Sequence, residues 1–121
     1  MTINIKATNL ELTPDIKAYV EDRLQPLEKL SQHWDEQGSL DMRVELARTT
    51  KHHFKGDVFY AEINMGFPGG NLRAEAKSDD IFAAIDEAHD DIKRQLNKHH
   101  TGRMEKIRKG ARKIKEWIKG I

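Results

Sequence analysis

Cysteine is missing from all 121 residues, which excludes a disulfide framework, a thiolate nucleophile and a Cys-rich zinc site, and suits a reducing compartment. Long apolar runs are missing too: nowhere do the about 18 consecutive apolar residues of a membrane-spanning helix occur. The N-terminus, Met1-Thr2-Ile3-Asn4-Ile5-Lys6, has no signal-peptide apolar segment. A soluble cytoplasmic protein is expected. Also absent are the Gly-x-Ser-x-Gly elbow, the phosphate-binding Gly-x-x-x-x-Gly-Lys loop and the dinucleotide fingerprint. Carboxylates are plentiful, but their spacing selects no catalytic pair. The His52-His53 and His99-His100 pairs are adjacent in sequence and so point to different faces, while the composition around His89 fits a polar helix surface. No enzyme, no cofactor and no metal site is expected.

What is present is a strong segregation of charge. The formal net charge is only +1, yet residues 1–92 carry 10 Lys/Arg against 18 Asp/Glu and residues 93–121 carry 11 against 2. The first part is thus −8 and the second +9. Such an asymmetry points to an anionic partner for the basic end. A length of 121 residues suits one domain.

Along the chain, Ile3 and Ile5 alternate with polar neighbours, as in a half-buried strand. Thr13-Pro14-Asp15 supplies a capping hydroxyl, a proline suited to the first turn and an acid that complements the helix dipole. Ile16, Tyr19, Val20, Leu24 and Leu27 then share one helical face, and Pro26 is expected to kink that helix without ending it, because Leu27 and Leu30 continue the stripe. Past the break at Gln37-Gly38-Ser39, Leu40, Met42, Val44 and Leu46 alternate into a second strand. A polar stretch from Thr49 to Gly56 precedes a third, Val58 to Met65, with Phe59, Ala61, Ile63 and Met65 on one face. Phe67-Pro68-Gly69-Gly70-Asn71 reads as a hairpin turn into a fourth strand, Leu72 to Lys77. Ser78-Asp79-Asp80 starts a long helix, with the serine hydroxyl as its cap and Ile81, Ala84, Ile85, Ala88, Ile92 and Leu96 as its apolar stripe. Thr101-Gly102 interrupts the pattern before Met104, Ile107, Ala111, Ile114, Trp117 and Ile118 resume it. The order strand, helix, three strands, helix predicts an α+β domain, an antiparallel-rich four-stranded sheet with both helices on one face.

With Ile92 and Leu96 facing the core, Lys93, Arg94 and Lys98 must project from the flanks or free face, as a cationic ridge. On the first helix Arg23 and Lys29 flank the apolar stripe. If the helices pack side by side, these groups join one surface able to neutralise several phosphates.

The order of elements, together with Leu12-Thr13-Pro14-Asp15-Ile16, Asp22-Arg23-Leu24-Gln25-Pro26-Leu27-Glu28-Lys29-Leu30, Ala83-Ala84-Ile85-Asp86 and Arg94-Gln95-Leu96-Asn97-Lys98, resembles the ribosome hibernation-promoting factor and ribosome-associated inhibitor family, in its short form. The resemblance covers roughly residues 1–100. It implies a fold similar to double-stranded RNA-binding domains, which read shape and phosphates more than base sequence. It further implies binding to the small ribosomal subunit, to 16S rRNA and nearby ribosomal proteins, in the channel between head and body. There the protein would block the messenger and transfer RNA sites. By the family pattern Arg23, Lys29, Lys93, Arg94 and Lys98 match positions expected to touch ribosomal RNA. The free protein is expected to be a monomer.

Residues 101–121 depart from that pattern. Long-form members continue into a dimerising domain that 21 residues cannot supply, and the short inhibitor type tends to end in an acidic tail. Here the tail is basic and amphipathic. Arg103, Lys106, Arg108, Lys109, Arg112 and Lys113 are expected RNA contacts on charge and periodicity alone. The alternative is a module that binds RNA or anionic membranes through this basic C-terminal helix, since Lys and Arg opposite Trp117 and Ile118 fit an interfacial helix.

Overall fold

The computed structural model describes residues 2–31, 40–50, 56–67 and 70–99. Strand β1 (Thr2–Thr8), helix α1 (Pro14–Leu30), strands β2 (Asp41–Thr50), β3 (Asp57–Phe67) and β4 (Gly70–Ser78), and helix α2 (81–99) follow in chain order. The four strands form one sheet in the order β1-β2-β3-β4. β1 lies parallel to β2, as a strand joined to its neighbour through a helix can, and the other two pairings are antiparallel.

Register turns the period-2 sequence pattern into two chemically distinct sheet faces. Ile3, Met42, Met65 and Leu72 stand in one row, Ile5, Val44, Ile63 and Ala74 in the next, and Ala7, Leu46, Ala61 and Ala76 in a third. These rows meet the buried stripes of the helices, Ile16, Val20, Leu24 and Leu27 on α1 and Ile81, Ala84, Ile85, Ala88, Ile92 and Leu96 on α2. Each fully buried Leu, Ile or Met contributes roughly 1.5–3 kcal/mol of apolar transfer, so this layer is where the fold gets its stability. Every alternate residue faces the other way. The open face carries the rows Asn4–Arg43–Asn64–Arg73, Lys6–Glu45–Glu62–Glu75 and Thr8–Ala47–Tyr60–Lys77.

The first helix begins as its sequence predicts: Thr13 Oγ1 accepts from the Ile16 amide at 3.4 Å, Pro14 opens the first turn and Asp15 follows. Pro26 lies inside it, and Pro14–Leu30 is one continuous helix. It ends at Ser31, which is fully buried and satisfies its hydroxyl on the Leu27 carbonyl at 2.6 Å. The cap of α2 differs from expectation. Asp80 takes that place, its carbonyl accepting from the Ala84 amide and its carboxylate from the Ala83 amide at 3.2 Å. The Ser78 hydroxyl instead accepts from the Asp80 amide at 3.4 Å, a turn that presents the acid to the helix.

The third and fourth strands run slightly longer than expected, because pairing continues to Phe67 opposite Gly70. A Cβ on Gly70 would lie 2.8 Å from the Phe67 ring, so a larger residue there would have to push that ring aside. The expected turn residues Gln37-Gly38-Ser39, Pro68 and Gly69, the histidines His52, His53 and His100, and the tail from Thr101 on lie outside the described residues.

Candidate nucleic-acid interface

The two helices run in the same direction on the sheet. Tyr19 of α1 meets Phe82 and Asp86 of α2, Arg23 meets Asp86, and Pro26 lines the same groove as His89 and Lys93. Both helices therefore end on the same side of the domain. Their negative dipole ends favour cations there, and Lys29 occupies the last turn of α1.

At the middle of the groove four side chains interlock. The Arg23 Nε donates to Asp86 Oδ1 at 2.8 Å and its Nη2 to the Tyr19 hydroxyl at 2.8 Å. That hydroxyl donates to the Asp86 carboxylate, also at 2.8 Å. Below, the guanidinium stacks 4.5 Å from the Tyr19 ring centre, and the Tyr19 ring meets Phe82 edge-on at 4.9 Å. Burial pushes the Asp86 carboxyl up, but the hydrogen bonds from Arg23 and Tyr19 outweigh it and leave it below the ordinary value. The hydrogen bond to Asp86 raises the Tyr19 phenol and the Arg23 guanidinium alike. Because the Arg23 and Asp86 side chains are 41% and 42% exposed, the ion pair itself is worth no more than roughly 0.2–1 kcal/mol. The cluster's effect is geometric: it holds one guanidinium at a fixed place between two helices.

His89 sits deeper than its polar neighbours suggest. Its side chain is only 12% exposed and its Nδ1 lies 3.1 Å from Asp90 Oδ1, while its Nε2 is buried with no hydrogen-bond partner among the described residues. It forms part of the groove wall and not of the free helix face.

The remaining expected contact residues fall into two sets. Lys93 is exposed and lines the groove with Arg23, whereas Arg94, one residue on and 100° around the helix, lies on the opposite flank. There it stands with Glu75, Glu87 and Asp91, 3.8 Å from Asp91. Lys98 is exposed near the end of α2 and Lys29 near the end of α1. The expected single ridge is thus divided by helix geometry into a groove side and a β4 side. Arg103, Lys106, Arg108, Lys109, Arg112 and Lys113 lie outside the described residues.

A second polar cluster, on the open sheet face, has no counterpart in the sequence reading. The Tyr60 hydroxyl shares its one proton between Glu62 at 2.6 Å and Glu75 at 2.9 Å; the Arg73 Nε donates to Glu62 at 2.7 Å and its Nη2 to Glu75 at 3.2 Å; Asn64 Nδ2 donates to Glu62 at 2.9 Å. Hydrogen bonds from Tyr60, Arg73 and Asn64 pull the Glu62 carboxyl down to about 2. Burial, with the bonds to Glu62 and Glu75, pushes the Tyr60 phenol well up. The signal for it was the alternation Tyr60, Glu62, Asn64, but only register places Arg73 and Glu75 beside them. On the β4 edge, Gln95 of α2 donates to the Arg73 carbonyl at 2.8 Å, which ties the second helix to the rim of the sheet.

Comparison with known proteins fits this architecture. Residues 3–104 match the family described as sigma 54 modulation protein / S30EA ribosomal protein. The ribosome-associated factor Y of Haemophilus influenzae is 36% identical over 101 residues, covering 81% of either chain. The ribosome hibernation promotion factor of Deinococcus radiodurans is 32% identical over 107 residues, 88% of this chain but 52% of that one. The chain thus spans about half the length of that longer relative. Among solved structures, the N-terminal domain of Thermus thermophilus Protein Y superposes with a TM-score of 0.61 at 33% identity, covering 82% of this chain and 99% of that one. Motif order, sheet topology and these similarities agree: the chain belongs to the sigma 54 modulation protein / S30EA ribosomal protein family.

Proposed function

We propose that this protein is a ribosome hibernation factor that binds the small subunit through the outer side of its paired helices and the basic segment beyond them. The observation that carries the reading is where the cations gather. Lys29, Lys93 and Lys98 are exposed toward the common end of two parallel helices, and from that end the chain runs into residues 101–121 with eight further Lys/Arg against two Glu. The names of the relatives, ribosome-associated factor Y and ribosome hibernation promotion factor, give the anionic partner. Acidic groups over the rest of the domain oppose nonspecific attachment, so the basic end sets orientation as well as attraction.

Docked in the channel between head and body, against 16S rRNA, the domain blocks the messenger and transfer RNA sites by occupying them. No chemistry is required for that. Residues 1–100 act as the ribosome-binding domain and residues 101–121 as an additional cationic arm.

Cosedimentation with purified small subunits over a range of salt tests the reading. Wild-type protein is expected to pellet at low salt and to release steeply as salt rises. The K93E/R94E/K98E variant is expected to lose binding at salt concentrations where the wild type is retained. Normal cosedimentation of that variant, or attachment of the wild type to anionic vesicles in preference to subunits, would contradict the proposal.

A further inference from the structure

The groove between the helices presents a paradox of charge. Its cations are Arg23 and Lys93, and its acids are Asp22, Asp86 and Asp90, so by charge alone it repels a phosphate. We propose that Asp86 and Tyr19 are positioning residues that hold the Arg23 guanidinium ready for one phosphate of the RNA backbone, with Lys93 on the same groove. The inference rests on the function proposed above and assigns a role to two residues that carry no positive charge.

Three observations support it. First, the guanidinium is fixed along one edge, Nε to Asp86 and Nη2 to the Tyr19 hydroxyl, both at 2.8 Å, and from beneath by the Tyr19 ring. Second, the side chain nonetheless remains 41% exposed, so a held guanidinium still faces solvent in the groove. Third, the clamp is itself braced: Phe82 meets the Tyr19 ring at 4.9 Å, and the Tyr19 hydroxyl binds both carboxylate oxygens of Asp86. An arginine has a planar fork that suits phosphate and loses rotamer freedom when it binds. One already immobilised has lost that freedom during folding. Long-range attraction then comes from residues 93–121, while the groove supplies orientation.

This assignment makes a prediction opposite in sign to simple electrostatics. Removing a negative charge beside a phosphate site ordinarily strengthens binding. If Asp86 acts by positioning Arg23, D86N weakens it, by about threefold to tenfold, the equivalent of ordering one long side chain again. Y19F, which keeps the ring and removes the hydroxyl, weakens it in the same direction and by less.

The experiment is a thermodynamic cycle on small-subunit binding at fixed salt, with wild type, D86N, R23Q and R23Q/D86N, each checked for folding by thermal unfolding. The proposal expects D86N to weaken binding in the wild-type background and to leave it unchanged or strengthen it in the R23Q background, because a positioning residue has nothing left to position. A folded D86N that binds as well as wild type or better overturns the positioning role and leaves the proposed function standing. Equal weakening by D86N in both backgrounds overturns it too, since Asp86 would then act independently of Arg23. Absence of wild-type binding overturns both.

Discussion

Two clusters on opposite sides of the domain are built from the same parts: an arginine, carboxylates and a tyrosine. Between the helices, Arg23 meets one carboxylate, Asp86, and its side chain is left 41% exposed at the groove. On the sheet, Arg73, itself 56% exposed, reaches two glutamates that Tyr60 also bridges, and it is Glu62 that is covered, to 13% exposure. The difference follows from the scaffold. Neighbouring strands place cross-strand side chains about 5 Å apart, which lets a network close on itself. Helices pack about 8–10 Å apart, so a long side chain can bridge them and still face outward. The same chemistry thus serves as a strand tie through two glutamates on one side, where Arg73 is exposed as well, and as a helix-to-helix hold on a single cation on the other.

The largest stability effect expected from either cluster comes from Glu62→Ala, which removes the acceptor shared by Tyr60, Asn64 and Arg73 while leaving Glu75 to Tyr60 and Arg73, and should cost about 0.5–1.5 kcal/mol. Chemical denaturation measures it, and small-subunit binding should be unchanged. The second expectation concerns pH. Because the Glu62 carboxyl is held at about 2 in the folded protein against an ordinary 4.5, its contribution is fully present above pH 4.5 and is lost as pH falls through 2. Unfolding free energies between pH 5 and pH 2 should therefore decline, and decline less in Glu62→Gln. Next, Arg73→Lys keeps the charge but not the fork that spans both glutamates, and should cost roughly 0.5–1 kcal/mol. The smallest stability effect is that of Asp86→Asn, roughly 0.2–1 kcal/mol for a half-exposed pair. A Tm for Asp86→Asn that falls further than that for Glu62→Ala would erase the distinction between a strand tie and a held cation.

Much of the fold was legible because the relevant signals are local. Alternation in Met42, Val44 and Leu46, and the helical spacing from Ile81 to Leu96, state which side of each element is buried before any contact is known. The Thr13-Pro14-Asp15 start is equally local. At α2 two residues competed for one cap, and Asp80 prevailed over Ser78 because its carboxylate reaches the Ala83 amide while Ser78 engages the preceding turn.

The site was less legible, for reasons of register. Arg23 and Lys93 were expected on one surface, but the partner that fixes Arg23 is 63 residues away in sequence, and nothing local in Ala84-Ile85-Asp86 names it. The separation of Lys93 from Arg94 was available from the helical period alone. What the period could not supply was the acidic company of Arg94, because Glu75 arrives from β4. Likewise the open-face network needs the pairing Glu62 opposite Glu75 and Asn64 opposite Arg73, which only the assembled sheet supplies.

In the proposed function the helical side and its basic extension, and not the open face of the sheet, meet the anionic partner. The most direct test compares two charge reversals of equal size by cosedimentation with small subunits across a salt series: K93E/R94E/K98E on α2, and K6E/R43E/K77E on the open face. The first variant is expected to lose binding, with a salt dependence shallower by about 2–3 units of log–log slope, while the second, if folded, is expected to stay close to wild type. Loss of binding by the open-face variant alone, with the helix variant unaffected, would contradict the proposed function.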